Sequence, residues 1–272
     1  MADRSGITIA RIAIIIALLA LWEALSRTGV VNSRLLPSAS DTLTTLADLL
    51  QRTSVRSDLL VTATEVLTAF AIAVPFGCLI GYLIAEYRYF AEVMKPLLFF
   101  AFSIPKSIFL PMFILVFGVG FAEKVGFGFF STIFIVIMST TTAVESVRVD
   151  YLSVARSYGA TAAQTAFRVY LPSMLPVLLE ALRISMIFNL TGVILAEMYA
   201  SRDGIGHQIA TWGENFQMKQ LLGGVVMIAA VAVGLRHAGN TGRSFATGER
   251  AQRSPGYRNR GLDRVRNRGA LR

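Results

Sequence analysis

Long apolar runs separated by short polar connections make up most of the chain. Residues 12–25 are apolar apart from Glu23, and further apolar runs cover residues 59–85, 96–119, 129–144, 173–200 and 221–235. A helix needs about 20 predominantly apolar residues to cross a bilayer, and most of these runs reach or approach that length. The pattern predicts an all-α integral membrane protein with about six transmembrane helices. The first is expected from about residue 7. The competing reading of that segment is a secretory signal peptide, because it has a basic start, a short apolar region and a weak A-x-S at residues 24–26. The last run holds 15 residues, about 22 Å as a helix, which is short for a hydrocarbon core about 30 Å thick.

The polar connections predict the remaining elements. Residues 27–57 contain Pro37 and Asp41 and read as an external loop carrying a surface-lying helix, with Asp41 as its cap. Residues 86–95 form a short charged loop. Residues 121–128 read as a tight Gly-rich turn holding Glu123 and Lys124, and residues 201–220 as an external loop with Gly204, Gly206, His207 and Trp212. The longest connection in the second half, residues 150–172, is too long for a plain link between two spans. Gly159 suits the position just past a helix end. Pro172 suits the first turn of a following helix, where its missing N–H costs nothing. A helix–Gly–helix loop of this kind reads as a docking surface.

Polar residues inside the apolar runs are the candidate chemistry. Pro75 is a kink site, and Gly77 and Gly81 form a small-xxx-small pair suited to close helix contact. Glu65 is either an interfacial acid or an intramembrane functional one. Pro105 and Pro111 interrupt the third span, and broken helices line transport routes. Lys106 between them either faces an anion or snorkels or pairs with an acid such as Glu197. Glu180 and Arg183 stand at i and i+3 and can pair on one helix face. Asn189 either lines a path or makes an interhelical hydrogen bond. Pro105, Lys106, Pro111, Asn189 and Glu197 are the candidate pathway-lining residues.

Composition agrees with this picture. Hydrophobic residues are 54% and charged residues 16%, and the mean hydropathy is +0.58, above the balance of a soluble domain. The single Cys78 allows no disulfide framework. No G-x-x-x-x-G-K and no G-x-G-x-x-G occurs, so nucleotide phosphates have no cradle of either kind here. His207 and His237 are too far apart to suggest a metal site. Ser103 and Lys106 spell S-x-x-K without the motifs that accompany it in hydrolases. An enzyme is not expected.

Residues 150–172 resemble the cytoplasmic loop of ABC importer permeases, whose pattern is E-A-A, three residues, Gly, nine residues, I-x-L-P. Ala155, Gly159, Leu171 and Pro172 match at that spacing, Val154 and Val169 are mild replacements, and Ser153 stands in place of the acid. LRI at residues 182–184, AEM at 196–198, GIG at 204–206 and the stretch 104–120 are similar to the nitrate/sulfonate/taurine branch. The resemblance covers roughly residues 58–225. It implies a multi-pass permease subunit of the bacterial cytoplasmic (inner) membrane, moving a small oxyanion such as sulfonate, taurine, nitrate or bicarbonate inward. It implies a helical cytoplasmic coupling loop between spans four and five, in which Ser153, Val154, Ala155, Arg156, Tyr158, Gly159, Leu171 and Pro172 meet an ABC ATPase subunit. ATP is then bound by that partner, with no cofactor in this chain. An extracytoplasmic solute-binding protein and a second, identical permease subunit complete the expected assembly, and no nucleic acid is expected. The alternative is a non-transporting membrane scaffold or degenerate permease with an altered carboxyl terminus.

Charge alone does not orient the chain. With the amino terminus inside, and leaving out Lys106, Arg183 and the tail from residue 236, inner and outer segments each hold seven Lys or Arg, so only the tail breaks the tie under the positive-inside rule. The resemblance places both termini and the 150–172 loop in the cytoplasm. Residues 236–272 hold ten Arg, no Lys and two acids, and their Gly, Arg, Asn and Ser content reads as disordered. That tail is either a binder of anionic lipid or nucleic acid or the product of a shifted reading frame. The expected organisation is a first transmembrane helix and external loop at 1–57, a permease core at 58–235 and the Arg-rich tail at 236–272.

Overall fold

A computed structural model describes residues 4–29, 31–32, 35–147 and 149–234. The tail assigned to 236–272 lies outside them. The α-helices among the described residues are α1 Arg4–Arg27, α2 Ala39–Gln51, α3 Thr53–Glu86, α4 Arg88–Ser103, α5 Leu110–Phe117, α6 Phe121–Glu145, α7 Val149–Ser157, α8 Ala162–Thr165, α9 Leu171–Ala200, α10 Ile205–Glu214 and α11 Met218–Gly234. Every regular element among the described residues is helical. Four segments are long and apolar enough to cross a membrane: Thr8–Arg27, Thr53–Glu86, Phe121–Glu145 and Ala162–Ala200. The bent pair Tyr89–Ser103 and Lys106–Phe117 makes a fifth if counted as one span, and Met218–Gly234 is shorter. The expected count of six therefore resolves into four long spans, one broken span and one short apolar helix.

α3, α6 and α9 form the core, with α6 in the middle in extensive contact with both neighbours. Small residues permit the approach. A Cβ on Gly77 would lie 2.7 Å from Val136 Cγ1, and one on Gly81 would lie 2.7 Å from the Ile137 carbonyl oxygen. The small-xxx-small pair thus seats α3 on α6, as van der Waals contact between membrane helices requires. Thr141 Oγ1 donates across the same seam to the Gly81 carbonyl at 3.2 Å.

Prolines act by position. Residue 104 is extended (φ −70°, ψ 129°), as the residue before a proline prefers, and the chain turns by 78° between α4 and the helical segment that follows. Pro111 breaks nothing, because it sits in the first turn of α5, where no intrahelical N–H is needed. Pro75 lies inside an uninterrupted α3.

Four connections differ from expectation. Residues 88–95, expected in a charged loop, form the first turns of α4. α6 begins at Phe121, so the supposed Gly-rich turn 121–128 is helical and the turn falls instead at Gly118 and Gly120, both at positive φ. The 201–220 connection folds into α10, whose apolar face buries Ile205, Ile209 and Trp212 against Leu49 of α2, Val55 of α3 and Met227 of α11. The cap of α2 is Ser38, whose hydroxyl accepts from the Asp41 N–H at 3.1 Å; Asp41 lies in the first turn.

Candidate functional site

Chain direction divides the chemistry between the two ends of the core. The connection from α6 to α9 holds the expected coupling loop at one end. The starts of α3, α6 and α10 and the end of α9 meet at the other.

The loop is built from local signals. α7 ends in a Schellman motif: Gly159 has φ +69°, its N–H donates to the Arg156 carbonyl at 2.9 Å, and the Ala160 N–H donates to the Ala155 carbonyl at 3.1 Å. The Ala155 and Gly159 of the sequence pattern are thus two members of one cap. A capping box follows. Thr161 Oγ1 accepts from the Gln164 N–H at 3.3 Å, and Gln164 Oε1 accepts from the Thr161 N–H at 2.9 Å. The next turn, Ala166–Tyr170, is a π turn in which the Leu171 N–H reaches the Ala166 carbonyl. Pro172 crowds the carbonyl of residue 168, and widening the helix just before a proline relieves that clash. α8, the π turn and α9 consequently run together rather than as two separated helices.

The loop's outer surface is apolar and aromatic. Tyr158 is 88% exposed and Phe167 72%; Tyr151, Val154 and Leu171 are also exposed. Ser153, Arg156, Gly159 and Pro172 are exposed, and Ala155 is half-buried. The inner surface is anchored, since Leu152 and Tyr170 pack against Ala143, Val144, Val147, Met174 and Leu178. Tyr170 also meets Tyr82 edge-on at 5.7 Å.

At the opposite end lies a buried charged network. Glu65 of α3 and Lys124 of α6 form an ion pair at 2.6 Å, with side chains 1% and 5% exposed. Glu197, fully buried, accepts from Thr62 Oγ1 at 2.5 Å and from the Gly206 N–H at 2.7 Å. Thr62 Oγ1 accepts in turn from the Ile205 N–H at 3.0 Å. Asp58 accepts from the Gly204 N–H at 3.2 Å and from Gln208 Nε2 at 2.7 Å. Two carboxylates and the Thr62 hydroxyl therefore satisfy the N–H groups that open α10, as helix starts favour. The two glycines are sterically necessary. A Cβ on Gly204 would lie 2.2 Å from Glu197 Oε1, and one on Gly206 would lie 2.6 Å from the Ile194 carbonyl oxygen. The tripeptides at 196–198 and 204–206, separate in the sequence, are one structural unit. Glu123 is also fully buried beside this network, and neither of its carboxylate oxygens has a hydrogen-bond donor among the described residues.

The candidate pathway residues are scattered. Asn189 is fully buried and donates through Nδ2 to the Val66 carbonyl at 2.7 Å, joining α9 to α3. Glu197 is engaged as above and is not the partner of Lys106. Lys106 instead lies over the Phe102 ring at 4.2 Å and near Phe188 at 5.9 Å. Pro105 and Pro111 are exposed at the break. Glu180 and Arg183 pair at 3.2 Å. Glu65 is buried and paired, and Lys124, its partner, is the residue that sequence reasoning missed. The signal available was two opposite, otherwise unexplained charges at the starts of two apolar runs.

The sequence profile of the family described as "Binding-protein-dependent transport system inner membrane component" matches residues 73–239. The taurine transport system permease protein TauC of Escherichia coli (strain K12) is 28% identical over 169 residues, covering 62% of this chain and 62% of that protein. The match thus spans less than two thirds of that relative's length. A putative aliphatic sulfonates transport permease protein, SsuC of Bacillus subtilis (strain 168), is 24% identical over 214 residues, covering 79% of this chain and 78% of that protein. A chain from an inward-facing structure of the MetNI methionine ABC transporter superposes with a TM-score of 0.58 at 20% identity, covering 73% of this chain and 96% of that one. At that identity the superposition establishes the fold. With a profile matching more than half its length, this multi-pass membrane chain belongs to the family of binding-protein-dependent transport system inner membrane components.

Proposed function

We propose that the chain is the membrane-spanning permease subunit of an ABC importer and carries a small oxyanion such as a sulfonate, taurine, nitrate or bicarbonate inward. The observation that carries this reading is the exposed α7–Gly159–α8 loop, with Tyr151, Val154, Tyr158 and Phe167 outward, in a chain of this family. A separate ATPase subunit grips that loop and binds the ATP. An extracytoplasmic binding protein delivers solute to the other face, and a second, identical permease copy completes the path. Nucleotide then shifts the assembly between inward-open and outward-open states by binding one better than the other. Relatives named for taurine and aliphatic sulfonates support an anionic solute.

Gly159→Arg tests the docking. Space at Gly159 is open, with no heavy atom within 4 Å of an added Cβ, so the substitution acts through its positive φ, costing about 1–2 kcal/mol, and through a bulky charge on the docking face. Affinity-purified full chain from its own membranes should carry ATP hydrolysis activity. The Gly159→Arg chain should insert equally and lose that activity. Equal hydrolysis in both eluates would overturn the docking reading.

A further inference from the structure

The break between α4 and α5 carries groups that hydrocarbon excludes. Ser103, Pro105 and Ser107 are exposed there, and Lys106 is half-buried. Two helix rises locate the break between the ends of the neighbouring spans. α4 rises about 12 Å from Lys95 to Ser103 at 1.5 Å per residue, and Lys95 pairs with Glu145 at the inner end of α6. Phe188, beside Lys106, lies about 18 Å down α9 from its outer end at Ala200 on the same rise. Both fall inside a hydrocarbon core about 30 Å thick.

Lys106 has no carboxylate partner among the described residues. Its ammonium rests on Phe102 and Phe188, a contact that stabilises a cation by about 0.5–2 kcal/mol. That is too little to hold a dehydrated ammonium against lipid, where charge requires a partner or a water-filled route. The Ser103 hydroxyl donates back to the Phe99 carbonyl at 2.8 Å. The Ser107 hydroxyl, on the next residue of the same 3-10 turn, makes no such bond among the described residues and is exposed. Phe99, Phe100 and Ile108, all exposed, supply apolar surface around the polar break.

The geometry points to an oxyanion-binding site at this break, with the Lys106 ammonium as the donor and Phe102 and Phe188 as walls. A cationic solute is repelled by Lys106, and a neutral one leaves the ammonium unmatched. A singly charged oxyanion with an apolar or small remainder fits both the cation and the rings. This deepens the importer reading and rests on it only in treating the anion as cargo. A lipid phosphate offers the same oxygen chemistry, but the depth of the break favours a free solute.

The test uses the full chain in permeabilised membrane vesicles, with Cys78→Ser removing the native thiol and Ser107→Cys supplying a reporter. Two reagents of similar size are compared: 2-sulfonatoethyl methanethiosulfonate, itself a small sulfonate, and its cationic trimethylammonium counterpart. The anionic reagent should react faster, with each rate normalised to a free thiol. Adding Lys106→Gln should lower the anion-to-cation rate ratio about tenfold or more, the size expected for one charge a few ångströms away in a partly screened site. Lys106→Arg should preserve the ratio. Ethanesulfonate should slow the labelling, and tetramethylammonium at equal ionic strength should not. An unchanged ratio after Lys106→Gln overturns the site, as does a thiol unreactive to both reagents. A preference that vanishes in vesicles of purely zwitterionic lipid assigns the site to a headgroup and overturns it as well. None of these readings involves an ATPase, so failure of the coupling-loop experiment and failure of this one are separable.

Discussion

Lys124 and Glu65 are the residues on which the buried network turns. Each is nearly inaccessible, and their pair closes at 2.6 Å. Removing one partner of such a pair leaves an uncompensated charge and costs about 3–5 kcal/mol, whereas replacing both with apolar residues of similar volume is close to neutral. Lys124→Met should therefore lower the thermal midpoint of the detergent-solubilised chain sharply. Glu65→Leu with Lys124→Met should recover most of the loss. A double variant no better than the single would mean that the ion pair is not what couples these positions. Glu65, Lys106, Asn189 and Glu197 stood out in the sequence because a polar group in an apolar run is costly. What each one touches did not, because their partners lie in other helices: 59 positions away for Lys124 and Glu65, and 135 for Thr62 and Glu197. Placing the start of the fourth span after Lys124 also hid it among presumed turn residues.

Element boundaries were legible where local chemistry sets them. Gly159 ends α7 as its spacing predicts, and the break before Pro105 follows from the restriction on the residue before proline. The helical run from Ala162 to Ala200 was not legible, because Pro172 suggested a fresh start while the π turn carries the helix through it. α10 was missed for a different reason. It is short, begins at a glycine and owes its first turn to carboxylates from α3 and α9. The capping box at Thr161 and Gln164 is the one device that starts α8 without tertiary help. Thr161→Ala removes its acceptor and should cost about 1 kcal/mol of helix start. Amide hydrogen exchange should then speed up at residues 162–166, about fivefold for that free energy, while residues 150–157 keep the wild-type rate. Equal acceleration on both sides of Gly159 would show the loop to be one cooperative unit rather than two capped helices.

Across the whole molecule, burial is unevenly shared among the spans. None of the α1 span is buried within the chain, against 61% of the α6 span. α1 is tied near its carboxyl end, where Trp22 Nε1 donates to the Pro37 carbonyl at 3.0 Å and Ser26 Oγ to the Leu36 carbonyl at 2.8 Å. Its apolar residues, from Ile9 to Leu21, are exposed around the helix rather than along one stripe. A helix apolar on all sides and uncovered by its own chain fits a lipid surround, and membrane helices gain no hydrophobic drive to associate with one another. A carbene-generating apolar photolabel dissolved in the bilayer should therefore mark α1 on every face. It should mark α6 sparsely, at its half-buried positions such as Phe129, Phe130 and Phe134. Labelling confined to one side of α1 would place another chain against the opposite side, and the second permease copy or a further subunit would then have to be sought there.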